Sequence, residues 1–102
     1  MGELVAFPAQ DPPPEPEPLW REAVGHELRE ERHRQERTLA HVADESGVSV
    51  QYLSEVERGR KEPSSEILGA VSGALGLRLV DLTARVARTL VGQPRGPLAL
   101  AA

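Results

Sequence analysis

Residues 38 to 64, TLAHVADESGVSVQYLSEVERGRKEPS, constrain this chain more than any other stretch, because they prescribe two short helices crossing steeply through a tight turn. Such a crossing needs a side chain small enough for close contact, a residue that tolerates positive φ, and apolar anchors on the second helix. Ala43, Gly47, Leu53 and Val56 stand in that order. Thr38 can cap the first helix with its hydroxyl, and Leu39, Val42 and Ala43 recur at i, i+3 and i+4 to give it an apolar face. Gly47 stops it. Ser49 is the next N-cap, and the second helix is predicted from Val50 to about Arg58, ended by Gly59, a residue suited to a left-handed C-terminal turn. With Leu53 and Val56 turned inward, the opposite face holds Gln51, Ser54, Glu55 and Arg58, with Val50 and Tyr52 at its borders.

The rest of the chain reads as helix with two unlike ends. From Leu19 to about Arg37, Trp20, Ala23, Val24 and Leu28 recur at helical spacing, and Trp20 is expected to cover one end of a small core. After Pro63 a Ser-Ser-Glu start and the run Ile67, Leu68, Val71 and Leu75 predict a fourth helix that Gly76 stops. A fifth follows from Val80 to Leu90, where Leu82, Val86 and Leu90 form a stripe that either closes the core or meets a second copy of itself. The fold class is therefore all-α, about five helices over residues 19 to 91. Residues 1 to 18 hold six of the nine prolines and four acidic residues with no basic one. That composition disfavours helix and burial, so a disordered acidic arm is expected. Residues 92 to 102 are rich in Gly, Pro and Ala and are expected to form a loose tail.

Composition removes several functions. There is no cysteine, which excludes thiolate metal sites and thiol nucleophiles and suits a cytoplasmic protein. His26, His33 and His41 lack the i, i+4 spacing that brings two imidazoles to one metal, and adjacent acids such as Glu30 and Glu31 diverge on a helix. Neither an active site nor a metal or cofactor site is expected. No apolar run reaches the length of a membrane span or of the core of a signal peptide. The net charge of −4 comes from the arm: without its four acids, twelve acidic and twelve basic residues remain. Any anion-binding role must then rest on local clusters such as Arg58, Arg60 and Lys61.

The segment 38 to 64 resembles the lambda-repressor-like, XRE-type helix-turn-helix regulators, whose second helix commonly ends in a string like SEVERGRKEPS. More narrowly, YLSEVERG, KEPSSE and ALGL make roughly residues 19 to 90 similar to actinobacterial regulators of Clp protease genes. The resemblance implies a lambda-repressor-like domain that binds a palindromic promoter site in double-stranded DNA as a homodimer and activates protease genes under stress, with RNA polymerase as a further partner. Antitoxins that bind both DNA and a toxin protein use the same fold and form the alternative; a toxin reading frame next door would favour them.

Given that resemblance, base contacts are expected from Val50, Gln51, Ser54 and Glu55 at the front of the recognition helix. Gln51 can pair bidentately with adenine, Val50 can meet a thymine methyl, and Glu55 can accept from cytosine. Phosphate contacts are expected from Thr38, Ser49, Tyr52, Arg58, Arg60, Lys61 and Ser64. Arg32 and Glu57 correspond to positions that form an ion pair tying the first helix to the recognition helix. Two positions depart from the pattern: Leu39 stands where many relatives carry a glutamine that braces phosphate, and Glu31 where an apolar residue is more usual. The stripe of Leu82, Val86 and Leu90 is the expected dimerisation patch. The ending Leu100, Ala101, Ala102 resembles tags gripped by Clp unfoldases, which makes Clp protease an expected partner through the C-terminus.

Overall fold

The computed structural model describes residues 19 to 92; the arm and tail expectations, with the degradation signal at Leu100, Ala101 and Ala102, lie outside them. The described residues form α1 (Trp20–Arg34), α2 (Leu39–Ser46), α3 (Val50–Glu57), α4 (Ser65–Ala74) and α5 (Leu79–Val91). Helix α1 packs on α3 and α5, α2 on α3 and α4, and α4 on α5. None of these helices is long and apolar enough to cross a membrane by itself.

Local chemistry sets the helix starts. The Thr38, Ser49 and Ser64 hydroxyls accept from the backbone N–H groups of His41, Tyr52 and Ile67 at 3.0, 3.0 and 3.2 Å, satisfying first-turn donors that have no partner within their own helix. At α1 the Glu22 carboxylate reaches back to the Leu19 N–H at 2.9 Å. The stops share one device, a left-handed residue followed by a hydrogen bond across six residues. Gly47, Gly59 and Gly76 supply the positive φ after α2, α3 and α4. After α1 it is Glu36, with φ 56°, while the Arg37 N–H donates to the Arg32 carbonyl at 3.1 Å. Helix α1 consequently ends at Arg34, three residues before the expected limit.

The core gathers Ala23, Val24, Leu28, Val42, Ala43, Leu53, Val56, Val71, Leu75, Leu82 and Val86. One expectation changes here. Trp20 stands at the margin of the fold, 39% exposed at the start of α1. Leu82 and Val86 are 1% and 0% exposed inside their own subunit, and Leu90 is half-buried against the same core. Leu82 and Val86 therefore close the core, and the dimer patch assigned to them is corrected: their apolar surface is already covered within one subunit, while Leu90 keeps part of its own open. Ser72, buried in α4, keeps a hydroxyl with no hydrogen-bond partner.

Candidate nucleic-acid interface

Helix α3 has one side fixed in the core by Leu53 and Val56, and its other side faces outward. Gln51 and Arg58 are exposed, Val50 is 45% exposed, and Ser54 and Glu55 are half-exposed. The base-reading set is thus brought onto one accessible face. Tyr52 is half-buried and packs against the core. Glu55 is engaged by Lys61, with Nζ to Oε1 at 3.8 Å, which ties one expected base acceptor to one expected phosphate donor. Arg58 and Arg60 flank Gly59 and are exposed.

The three capping hydroxyls keep a second capability. Thr38, Ser49 and Ser64 accept from the protein and are exposed, so each retains its own O–H for donation to an anion beside a positive helix end. Tyr52 lies within α3, and Arg60 and Lys61 follow shortly after it.

Helix α3 is held rigidly from behind. Arg32 Nε and Nη2 donate to Glu57 Oε2 and Oε1 at 2.8 and 2.9 Å, and Arg32 Nη1 donates to the Arg37 carbonyl at 3.0 Å. The two side chains are only 11% and 7% exposed. The hydrogen bond to Glu57, more than the adjacent charge, raises the Arg32 pKa above the ordinary guanidinium value against the opposing effect of burial. The guanidinium is therefore charged throughout the neutral range.

The sequence reading missed the residue that permits this closeness. A Cβ placed on Gly25 would lie 2.2 Å from the Val56 carbonyl oxygen and 2.7 Å from that of Glu57. Helix α1 thus touches α3 backbone to backbone. Nearby, Arg21 Nε donates to the Gly59 carbonyl at 3.1 Å, anchoring the turn that carries Arg58 and Arg60. Arg29 was also missed: with Arg32, Leu39, Ser54, Glu57 and Arg58 it lines a cleft of about 190 Å³ between α1, α2 and α3. Its signal was the i, i+3 spacing that puts Arg29 on the same face as Arg32.

The departure at Glu31 resolves into a polar bridge. Glu31 is 8% exposed and accepts from Arg85 of α5 at 2.6 Å, from Gln35 at 2.7 Å and from Arg34. Burial pushes its carboxyl up, but the hydrogen bonds from Arg85 and Gln35 and the charges of Arg34 and Arg85 outweigh it and hold the pKa below the usual range. His26, His33 and His41 are exposed; His41 meets Glu45 at 3.1 Å.

Two short helices meeting at the left-handed Gly47, with the second offering its polar face outward, match a family model described as helix-turn-helix over residues 27–82. The chain belongs to the helix-turn-helix family of DNA-binding domains. Within it, the chain is 54% identical over 74 residues to the transcriptional regulator ClgR of Mycobacterium tuberculosis, an alignment covering 69% of this chain and 66% of that protein. The crystal structure of the clp gene regulator ClgR from Corynebacterium glutamicum superposes with a TM-score of 0.72 at 49% identity, covering 74% of this helix-turn-helix chain and 81% of the other. A restriction-modification controller protein from Aeromonas hydrophila gives a TM-score of 0.59 at 27% identity, covering 61% and 94%. The chain thus spans a little under two thirds of the length of its M. tuberculosis relative.

Proposed function

We propose that this chain is a sequence-specific transcription regulator that binds promoter DNA as a homodimer and activates Clp protease or related proteolysis genes. The outward face of α3 carries this reading: Val50, Gln51, Ser54 and Glu55 share an exposed side, and the buried Arg32–Glu57 pair holds the helix from behind. The regulated genes are proposed from the kinship with ClgR, a clp gene regulator in C. glutamicum. Selection of bound fragments from genomic DNA tests it, with protease promoters expected among them. Gln51→Ala should weaken the selected site by about 1 to 3 kcal/mol and leave random DNA nearly unaffected. Arg60→Ala should weaken both alike. Equal losses on both DNAs for both variants would refute the division between base and phosphate contacts.

The homodimer needs a surface other than the buried stripe, and α5 offers one. Val80 and Val91 are 62% and 83% exposed, and Ala84 and Ala87 between them are exposed. Steps of four, three and four residues align these positions along one seam of the helix. Laid antiparallel about a two-fold axis beside Arg85 and Val86, the seam sets Val80 against the partner's Val91 and Ala84 against the partner's Ala87, so the patch is complementary to itself. Ala87→Glu places two like charges at its centre. Sedimentation should then give a monomer with unchanged helix content, and an unchanged dimer would remove α5 from the interface.

A further inference from the structure

We infer that the cleft between α1, α2 and α3 is a seat for one DNA backbone phosphate, with Arg29 of α1 as its principal ligand. The inference rests on the DNA-binding reading above. The cleft is lined by Arg29, Arg32, Leu39, Ser54, Glu57 and Arg58. Arg32 and Glu57 neutralise one another through two hydrogen bonds at 2.8 and 2.9 Å, so they form a closed floor with no net charge. What remains is the exposed side chains of Arg29, from α1, and Arg58, from the end of α3. Among the described residues neither meets a carboxylate within ion-pair distance. Two such cations lining one cleft suit an anion whose separate oxygens each take a guanidinium fork.

Position makes that anion a DNA phosphate. Ser54 and Arg58 belong both to the cleft and to the outward face of α3, one and two turns beyond Gln51. When α3 enters a major groove, the cleft meets the sugar-phosphate wall beside it. The Ser54 hydroxyl adds a donor, and the start of α2, at Leu39, adds the positive end of a helix. Leu39 itself contributes only an apolar wall, half-buried against the core. A contact that a polar side chain at the start of α2 would make is therefore supplied here from α1.

Measuring affinity against salt in the full chain tests the assignment. Each phosphate contact contributes about 0.9 to the slope of log K against log salt. Arg29→Ala should lower affinity for the selected site and for random DNA by the same factor, roughly tenfold at low salt, and flatten the slope by about one. Arg29→Lys should restore most of the slope. Replacing single operator phosphates with neutral methylphosphonates should reveal one position per half-site at which wild type and Arg29→Ala bind equally. In the Arg29→Ala background, Leu39→Gln should recover affinity by a larger factor than in wild type, since both side chains reach the same anion. An Arg29→Ala variant with wild-type affinity and slope, or a methylphosphonate scan in which no single position removes its defect, would overturn the inference while leaving DNA binding intact. A wild-type chain with no salt-dependent DNA binding would overturn the functional reading as well.

Discussion

On one side α1 meets α3 with almost nothing between them: Gly25 lets two backbones touch, and Arg32 grips Glu57 with both ends of its fork. On another side α1 meets α5 through the shared apolar core and, around it, through long polar side chains, Arg85 reaching Glu31 at 2.6 Å and Thr89 reaching Glu27 at 2.6 Å. The first seam has no slack and fixes the angle of the recognition helix. The polar part of the second spans its gap with side chains whose outer atoms still reach water, as Arg85 is 29% exposed. Water can replace a partner lost from the second seam and cannot replace one lost from the first. Loss of a polar partner should therefore be costly at α1–α3 and mild at α1–α5.

The largest effect expected is at the buried pair. Arg32→Ala leaves the Glu57 carboxylate, only 7% exposed, without its counter-charge, a loss of about 3 to 5 kcal/mol in urea unfolding. Replacing both residues together, Arg32→Met with Glu57→Leu, should recover most of that, because an apolar pair of similar volume leaves no orphaned charge. A single variant as stable as wild type would remove the contrast between the seams. Next comes Gly25→Ala. A methyl group 2.2 Å from a carbonyl oxygen cannot be absorbed by a side-chain rotation, so α1 and α3 must separate. The expected cost is about 3 kcal/mol, the upper end for an overpacked contact, together with weaker binding of the selected DNA site as α3 tilts.

At the α1–α5 seam Glu31→Gln should cost only about 1 kcal/mol, since the arginines it releases are partly solvated and one amide oxygen can still accept. Its pH behaviour is the sharper reading. Glu31 has a folded-state pKa below its ordinary value, so it binds a proton more readily when unfolded. The stability it contributes is present above the ordinary glutamate range and is lost as pH falls through the lowered folded value. Unfolding measured from neutral to acidic pH should show wild type and Glu31→Gln converging at the acid end. A constant difference across that range would mean that shape, and not charge, governs the seam.

These seams also mark how far the sequence could be read. The starts of α2, α3 and α4 were legible at Thr38, Ser49 and Ser64, and the stops at Gly47, Gly59 and Gly76, because capping is settled within a few residues. The outward face of α3 followed from the inward direction of Leu53 and Val56. Gly25 was not legible: a glycine inside a helix reads as a local defect, and its reason is the Val56 carbonyl on another element. Leu82 and Val86 misled, since periodicity reveals that a face is buried but not which molecule buries it. The Arg32–Glu57 contact was reached through family resemblance, and Arg85 as partner to Glu31 was not anticipated at all.

The smallest effect expected is a gain, at the end of α1 from which both seams are aligned. Glu36 is the one residue other than glycine with positive φ among those described, at 56°, whereas the corresponding turns after α2, α3 and α4 carry glycine. A side chain in that left-handed conformation costs about 1 kcal/mol through the approach of Cβ to the backbone. The turn holds its shape because its flanking residues are tied down: Gln35 Nε2 donates to the Leu75 carbonyl at 2.7 Å, and Arg37 donates to the Ala74 carbonyl and to Glu45. Glu36 itself is exposed, so removing its side chain takes away little packing. Glu36→Gly relieves the strain but widens the freedom of the unfolded chain, which returns about half of the gain. The net expectation is a stabilisation of about 0.5 kcal/mol, read as a higher urea midpoint at unchanged slope. Were the α1–α3 angle set by this turn instead of by Gly25 and Arg32, the same substitution would loosen α3 and lower DNA affinity. An unchanged affinity with a raised midpoint would place control of the recognition helix in the rigid seam alone.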